Sequence, residues 1–200
     1  MSPPRRAAVW LLTIVGAVLA GGCGSSSPPT LHGDPGTYLL TPAQLPSPDF
    51  TVYLPTAPVG AGWLDPSSSA ALQRDGLVEA AQVEYYRPVP FATSNGPITL
   101  TAAAARFSGA AGAEAAMEQL DTALDARSGA TPAATGPLGD AGHAVSTPGA
   151  LGGVPAIEII VVWRVENVLN SLTAEGRSGG LLLDQLLPLA RTETATELRG

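Results

Sequence analysis

The 200-residue chain has ten arginines, no lysine and 17 acidic residues, for a formal net charge of −7. Beyond residue 22 eight arginines face all 17 acids, a balance of −9 that excludes nucleic-acid binding through clustered basic charge and adhesion to anionic lipid head groups. One cysteine, Cys23, excludes an internal disulfide and a Cys-ligated zinc.

Met1 to Arg6 carry Arg5 and Arg6, Ala7 to Ala20 are almost wholly apolar, and Gly21 and Gly22 follow, the three-part layout of a secretory signal. The apolar run of about 14 residues falls short of the ~20 that a membrane-spanning helix needs. Leu19-Ala20-Gly21-Gly22-Cys23 resembles the lipobox of bacterial lipoproteins. That resemblance implies a diacylglyceryl group on the Cys23 thiol, cleavage before Cys23, and a membrane hold supplied by acyl methylenes worth ~0.8 kcal/mol each. The expected organisation is a signal peptide over 1–22, a lipidated Cys23 with a Gly/Ser/Pro tether over 23–36, and one extracytoplasmic domain over 37–200. The 178 residues left after cleavage suit a single domain with its own core. Absence of lysine beside abundant Ala, Gly, Pro and Arg is the signature of GC-rich coding, as in an actinobacterium.

Leu39 to Pro46 (LLTPAQLP) is expected to dock on the domain, followed by Trp63 and a turn at Pro66 to Ser69. Leu77 to Val89 and Ile98 to Ala104 alternate apolar and polar residues around Ser94-Asn95-Gly96-Pro97, which predicts a hairpin. Ser108 to Arg127 places Ala113, Met117, Leu120 and Leu124 at helical spacing, with Ser108 as the expected N-cap. Thr131 to Pro137 reads as a linker and Asp140 to Ser146 as a short strand. Ala156 to Val165 is a strong strand, Glu166-Asn167 a tight turn, Val168 to Ala174 its partner, and Gly180 to Leu198 a closing helix that Pro188 kinks or splits.

Hairpin followed by helix thus occurs twice, over 77–127 and 156–198. This pattern predicts an α+β fold, an antiparallel sheet with helices packed mainly on one face and a hairpin-helix pseudo-repeat. LTPAQLP, the PLGDAG phrase over Pro137 to Gly142 and the terminal hairpin plus helix resemble small secreted actinobacterial lipoproteins and the extracellular sensor domains of mycobacterial Ser/Thr kinases. The second resemblance implies disulfides that a chain with the single Cys23 cannot form within itself, and no binding residue carries over from it.

Candidate chemistry is sparse. His143, with Asp140 three residues before it, lacks the G-x-S-x-G turn that presents a hydrolase serine. Glu114, Glu118, Asp121 and Asp125 form one stripe of the helix, which is expected to be a solvated face rather than a calcium site, since such sites also need a bent loop with backbone carbonyls. No phosphate-loop spacing occurs, so neither cofactor nor metal is expected.

In Ile157 to Val165 (IEIIVVWRV), Ile157, Ile159, Val161, Trp163 and Val165 share one face, while Ile160 and Val162 share the other with Glu158 and Arg164. Two arrangements satisfy this pattern. Either residues 37–76 cover the Ile160 face, or that face is an apolar groove in which Ile160, Val162 and Tyr86 bind a ligand. The resulting expectation is a non-enzymatic lipoprotein, lipid-anchored on the outer side of the cell membrane, that binds an envelope lipid, another envelope component or a protein partner. Its rivals are an accessory subunit without a small ligand and an envelope hydrolase.

Overall fold

Period-two alternation of apolar and polar residues builds the centre of the molecule. In the computed structural model, which describes residues 30–62 and 69–199, seven strands form one antiparallel sheet in the order β1-β2-β3-β7-β6-β5-β4. The strands are β1 (Thr51–Pro58), β2 (Leu77–Tyr86), β3 (Thr99–Phe107), β4 (Thr131–Ala133), β5 (Ala141–Leu151), β6 (Val154–Val165) and β7 (Val168–Arg177). The helices are α1 (Ser69–Arg74), α2 (Ala110–Asp125) and α3 (Leu187–Glu197). The signal segment, Cys23, residues 24–29 of the tether, Trp63 and Pro66 to Ser68 lie outside the described residues. No described helix is long and apolar enough to cross a membrane.

Both expected hairpins form. β2 pairs β3 with Val83 opposite Ala102, and β6 pairs β7 with Ile160 opposite Thr173. Glu166 closes the second at φ 53°, the left-handed conformation that a tight two-residue turn demands. β3 pairs β7, so the two hairpins merge into the middle of the sheet.

One sheet face carries Tyr85, Leu100, Leu172, Val161 and Trp163, roofed by α3 and by Tyr38, Leu39, Leu40 and Phe50. The opposite face carries Phe107, Leu169, Ile160, Val162 and Val145, roofed by α2 together with Leu72 of α1 and Ala61. The α+β class, the antiparallel sheet and the alternation along β6 are therefore as expected. Two of the three helices, α1 and α2, gather on one face as expected, and α3 roofs the other. A strand as apolar on both sides as β6 requires a cover on each, and one side chain of Leu or Ile size brings ~1.5–3 kcal/mol on burial.

Other departures have local causes. β1 is a strand inside residues read only as a docked segment; Pro55 and Pro58 mask it, because proline is tolerated only where no ladder partner is needed, and β1 is a sheet edge. Residues 131–133 form an edge strand on β5 rather than a linker, with Thr131 opposite Ser146. β5 runs to Leu151 because Gly152 and Gly153, both at positive φ, turn the chain straight back into β6. Gly109 stands at the N-cap of α2 in place of Ser108, which is held one residue earlier by its N–H to the Gly76 carbonyl at 2.9 Å. The closing segment splits into a short turn at Leu183–Gln185 and α3, with Pro188 in the first turn of the helix, where its missing N–H leaves no bond unmade.

Candidate functional site

Helix α2 seats Ala113, Ala116, Met117, Leu120 and Leu124 on the rows of the sheet nearest the Glu166-Asn167 turn. Rows farther along stay open, and there the same face turns polar. Glu84, Thr101, Thr173 and Ile160 succeed one another across β2, β3, β7 and β6, and Gln82, Ala103, Ser171 and Val162 form the adjoining row. Gln82, Thr101, Ser171 and Thr173 line a hollow of about 270 Å³ beside the end of α2.

Arg127, just past α2, reaches across this hollow to Glu158 at 2.7 Å. Glu158 stands directly opposite Glu175, a like-charge pair whose repulsion Arg127 relieves on one side. Both carboxylates continue into a second hollow of about 240 Å³, lined also by Phe91 and by Thr147 to Leu151 of the β5–β6 hairpin. The Thr147 hydroxyl is buried there without a hydrogen bond. Arg177 fixes the Phe91 loop by donating to the Ser94 carbonyl at 3.1 Å and to Asn95 Oδ1 at 2.9 Å. The result is a polar trough of neutral donors and acceptors with one ion pair on its rim. Such a surface can hydrogen-bond and orient a polar ligand.

The structure distributes the sequence candidates unevenly. Val162 is 0% and Ile160 3% exposed beneath α2, so the apolar groove does not exist, although Ile160 reaches the trough margin. Their cover also differs from the expected one. Residues 38–50 lie on the opposite face, and from the 37–76 segment mainly Val59, Ala61 and Leu72 join α2. Tyr86 is 40% exposed in the row of Thr99, Glu175 and Glu158, on the trough's face but one row beyond its floor. Cys23 lies outside the described residues.

His143 does not meet Asp140. Its Nε2 lies 2.9 Å from Asp125 Oδ1, while the Asp140 carboxylate takes Arg164 at 3.1 Å and the Glu166 N–H at 2.7 Å. Glu114, Glu118 and Asp125 are exposed and Asp121 is half-buried, its carboxyl raised by burial and partly restored by His143. No group of three or more His, Cys, Asp or Glu among the described residues is placed to hold a metal.

Sequence reasoning passed over Glu193 and Glu197, both buried between α3 and the sheet. Their signal was present: Leu186, Ala190, Glu193 and Glu197 continue the apolar stripe of α3 at spacings of four, three and four, which puts two acids on the buried side.

No protein-family model matches the chain, and no curated protein matches it. Among solved structures it is similar to the extracellular domain of PknH from Mycobacterium tuberculosis, with 11% identity, a TM-score of 0.52, and coverage of 83% of this chain and 95% of that one. The likeness shows a shared fold with that extracellular domain.

Proposed function

We propose that this chain is a lipid-anchored, non-enzymatic envelope protein whose domain captures a hydrophilic, hydroxyl-rich envelope component, glycan in type, in the trough beside α2. The observation that carries this reading is the half-open α2 face, floored by Gln82, Thr101, Ser171 and Thr173 and rimmed by the Arg127–Glu158 ion pair. Hydroxyls and a side-chain amide at strand spacing, with one charge-assisted pair, match a polyol better than an acyl chain. The lipobox at Cys23 and a fold shared with a domain described as extracellular both support a place outside the cytoplasm.

The path of the chain supports the same reading. Leu31 is clamped to Asn167, its N–H donating to Oδ1 at 2.7 Å and its carbonyl accepting from Nδ2 at 3.1 Å. A tether from Cys23 therefore meets the domain at the β6–β7 turn, whereas Thr173 lies about 20 Å farther along β7. The trough then faces wall polymers rather than lipid head groups.

Retention on immobilised, delipidated cell-wall polysaccharide tests the proposal. Thr173→Trp fills the hollow with a residue that strands tolerate well. The wild type should be retained and the variant released; equal retention of the two, or none of the wild type, overturns the reading. A protein-partner reading has one observation of its own, the β1 edge, where Val52, Tyr53 and Leu54 are 48–65% exposed. Unaltered partner capture by the Thr173→Trp protein would favour it.

A further inference from the structure

Helix α3 is seated through two carboxyl groups that no cation meets. Glu193 and Glu197 are 2% and 0% exposed, one turn apart, and neither forms an ion pair among the described residues. Glu193 Oε1 accepts the Leu40 N–H at 2.9 Å, while Glu193 Oε2 and both Glu197 oxygens have no hydrogen bond. The Asn170 amide nitrogen and the Trp163 indole nitrogen, cross-strand neighbours on the covered face, are likewise unbonded. An ionised carboxylate in such a place is severely penalised, a neutral acid much less so.

Among the described residues, the groups that act on the pair are neutral or acidic. Glu193 meets the Leu40 amide from the leading segment and Tyr85 from β2, and Tyr85 in turn donates its hydroxyl to the Leu40 carbonyl. Asn170 from β7 favours the ionised form of Glu197, while the nearby negative charge of Glu166 at the β6–β7 turn disfavours it, and Glu197 in turn raises Tyr38 of the leading segment. Arg106 on β3 acts on Tyr38 and is itself paired with Glu79 at 2.7 Å, and Asp34 also bears on Tyr38.

We propose that Glu193 and Glu197 form a proton-held latch, which when neutral seats α3 and residues 38–50 on the sheet and when ionised releases both. Release uncovers the Trp163 face and adds the leading segment to the tether, letting the domain stand farther from its anchor. The pKa directions agree with the geometry. Burial pushes the Glu193 carboxyl well above its ordinary value, partly offset by the Leu40 amide, and pushes Glu197 up to about 8, partly offset by the neighbouring Asn170. A carboxyl that is raised on seating stabilises the seated state fully below its ordinary 4.5 and loses that contribution as pH climbs through about 8. Each carboxyl gives up one proton on opening, so in this window Glu197 raises the opening equilibrium about tenfold per pH unit and Glu193 steepens the dependence further.

Hydrogen exchange of the full-length chain in detergent micelles, corrected for intrinsic rates, reads this proton count directly. Between pH 5.5 and 7.5, protection of the Leu40 and α3 amides should fall by more than about tenfold per pH unit in the wild type. The fall should be about tenfold in Glu193→Gln, shallower than wild type in Glu197→Gln and absent in the double variant. Glutamine keeps the acceptor for Leu40 and removes the titration. Either single variant decides the matter if the double variant does not fold. An unchanged slope in the single variants overturns the latch, as does loss of protection at Leu100 and Ala102 of β3 in step with α3.

Discussion

The two faces of the sheet bury similar aliphatic side chains yet close differently. The Trp163 face is covered along its centre by α3 and residues 38–50, and polar groups beneath that cover are sealed in. The Ile160 face is covered only as far as α2 extends, and past Arg127 it passes from Ile160 and Val162 to Thr101, Thr173 and Glu158 within two rows. A titratable group under the first cover becomes a conformational liability tied to pH. The same group past the edge of the second is solvated and available to a ligand. Position relative to the cover, more than residue type, sets what each polar group does.

The comparison breaks most visibly at the boundary under α2. Replacing Ile160 and Val162 together with serine should lower stability by several kcal/mol, because each change removes buried methyls, leaves a cavity and buries a hydroxyl. Urea unfolding should show a large fall in midpoint; a fall of only a few tenths of a kcal/mol would mean that α2 does not cover this face. On the opposite face, Asn167→Ala removes the contacts to Leu31 and a bond from Nδ2 to the Phe107 carbonyl at 2.8 Å. The expected cost is about 2 kcal/mol, with exchange at the Leu31 amide accelerated before that of the central strands. No change at Leu31 would show that the leading segment is held elsewhere. Smallest is Arg127→Ala on the trough rim, which should leave stability within about 0.5 kcal/mol while weakening retention on wall polysaccharide, because a partly exposed ion pair contributes little to folding. A drop of more than about 1 kcal/mol would place Arg127 in the fold rather than in the site.

How far the sequence carried these conclusions depends on whether each feature is local. The alternation in IEIIVVWRV, the two-residue turn at Glu166-Asn167 and the apolar stripe of α2 are local patterns, so the hairpins, the helix and the α+β class were legible. The cover of the Ile160 face was not, since it turns on which way each helix folds back over a strand that is apolar on both sides. β1 was hidden by its prolines and β4 by its brevity. The trough was illegible for another reason: Gln82, Thr101, Ser171 and Thr173 come together only through the register of β2, β3 and β7. Glu193 and Glu197 were legible in principle, as acids on an apolar helical stripe, but a helix of three turns that begins only at Leu187 gave the stripe few turns in which to declare itself.

The central claim is that the open half of the α2 face, and not the apolar residues beneath the helix, meets the ligand. Backbone amide chemical shifts of the full chain in micelles, followed while a soluble cell-wall oligosaccharide is added, test it most directly. Shifts should concentrate at Gln82, Thr101, Ser171 and Thr173, with Arg127 following and the amides of β1 and β4 unmoved. Shifts centred on Val52 to Leu54, or none at saturating oligosaccharide, would contradict the account.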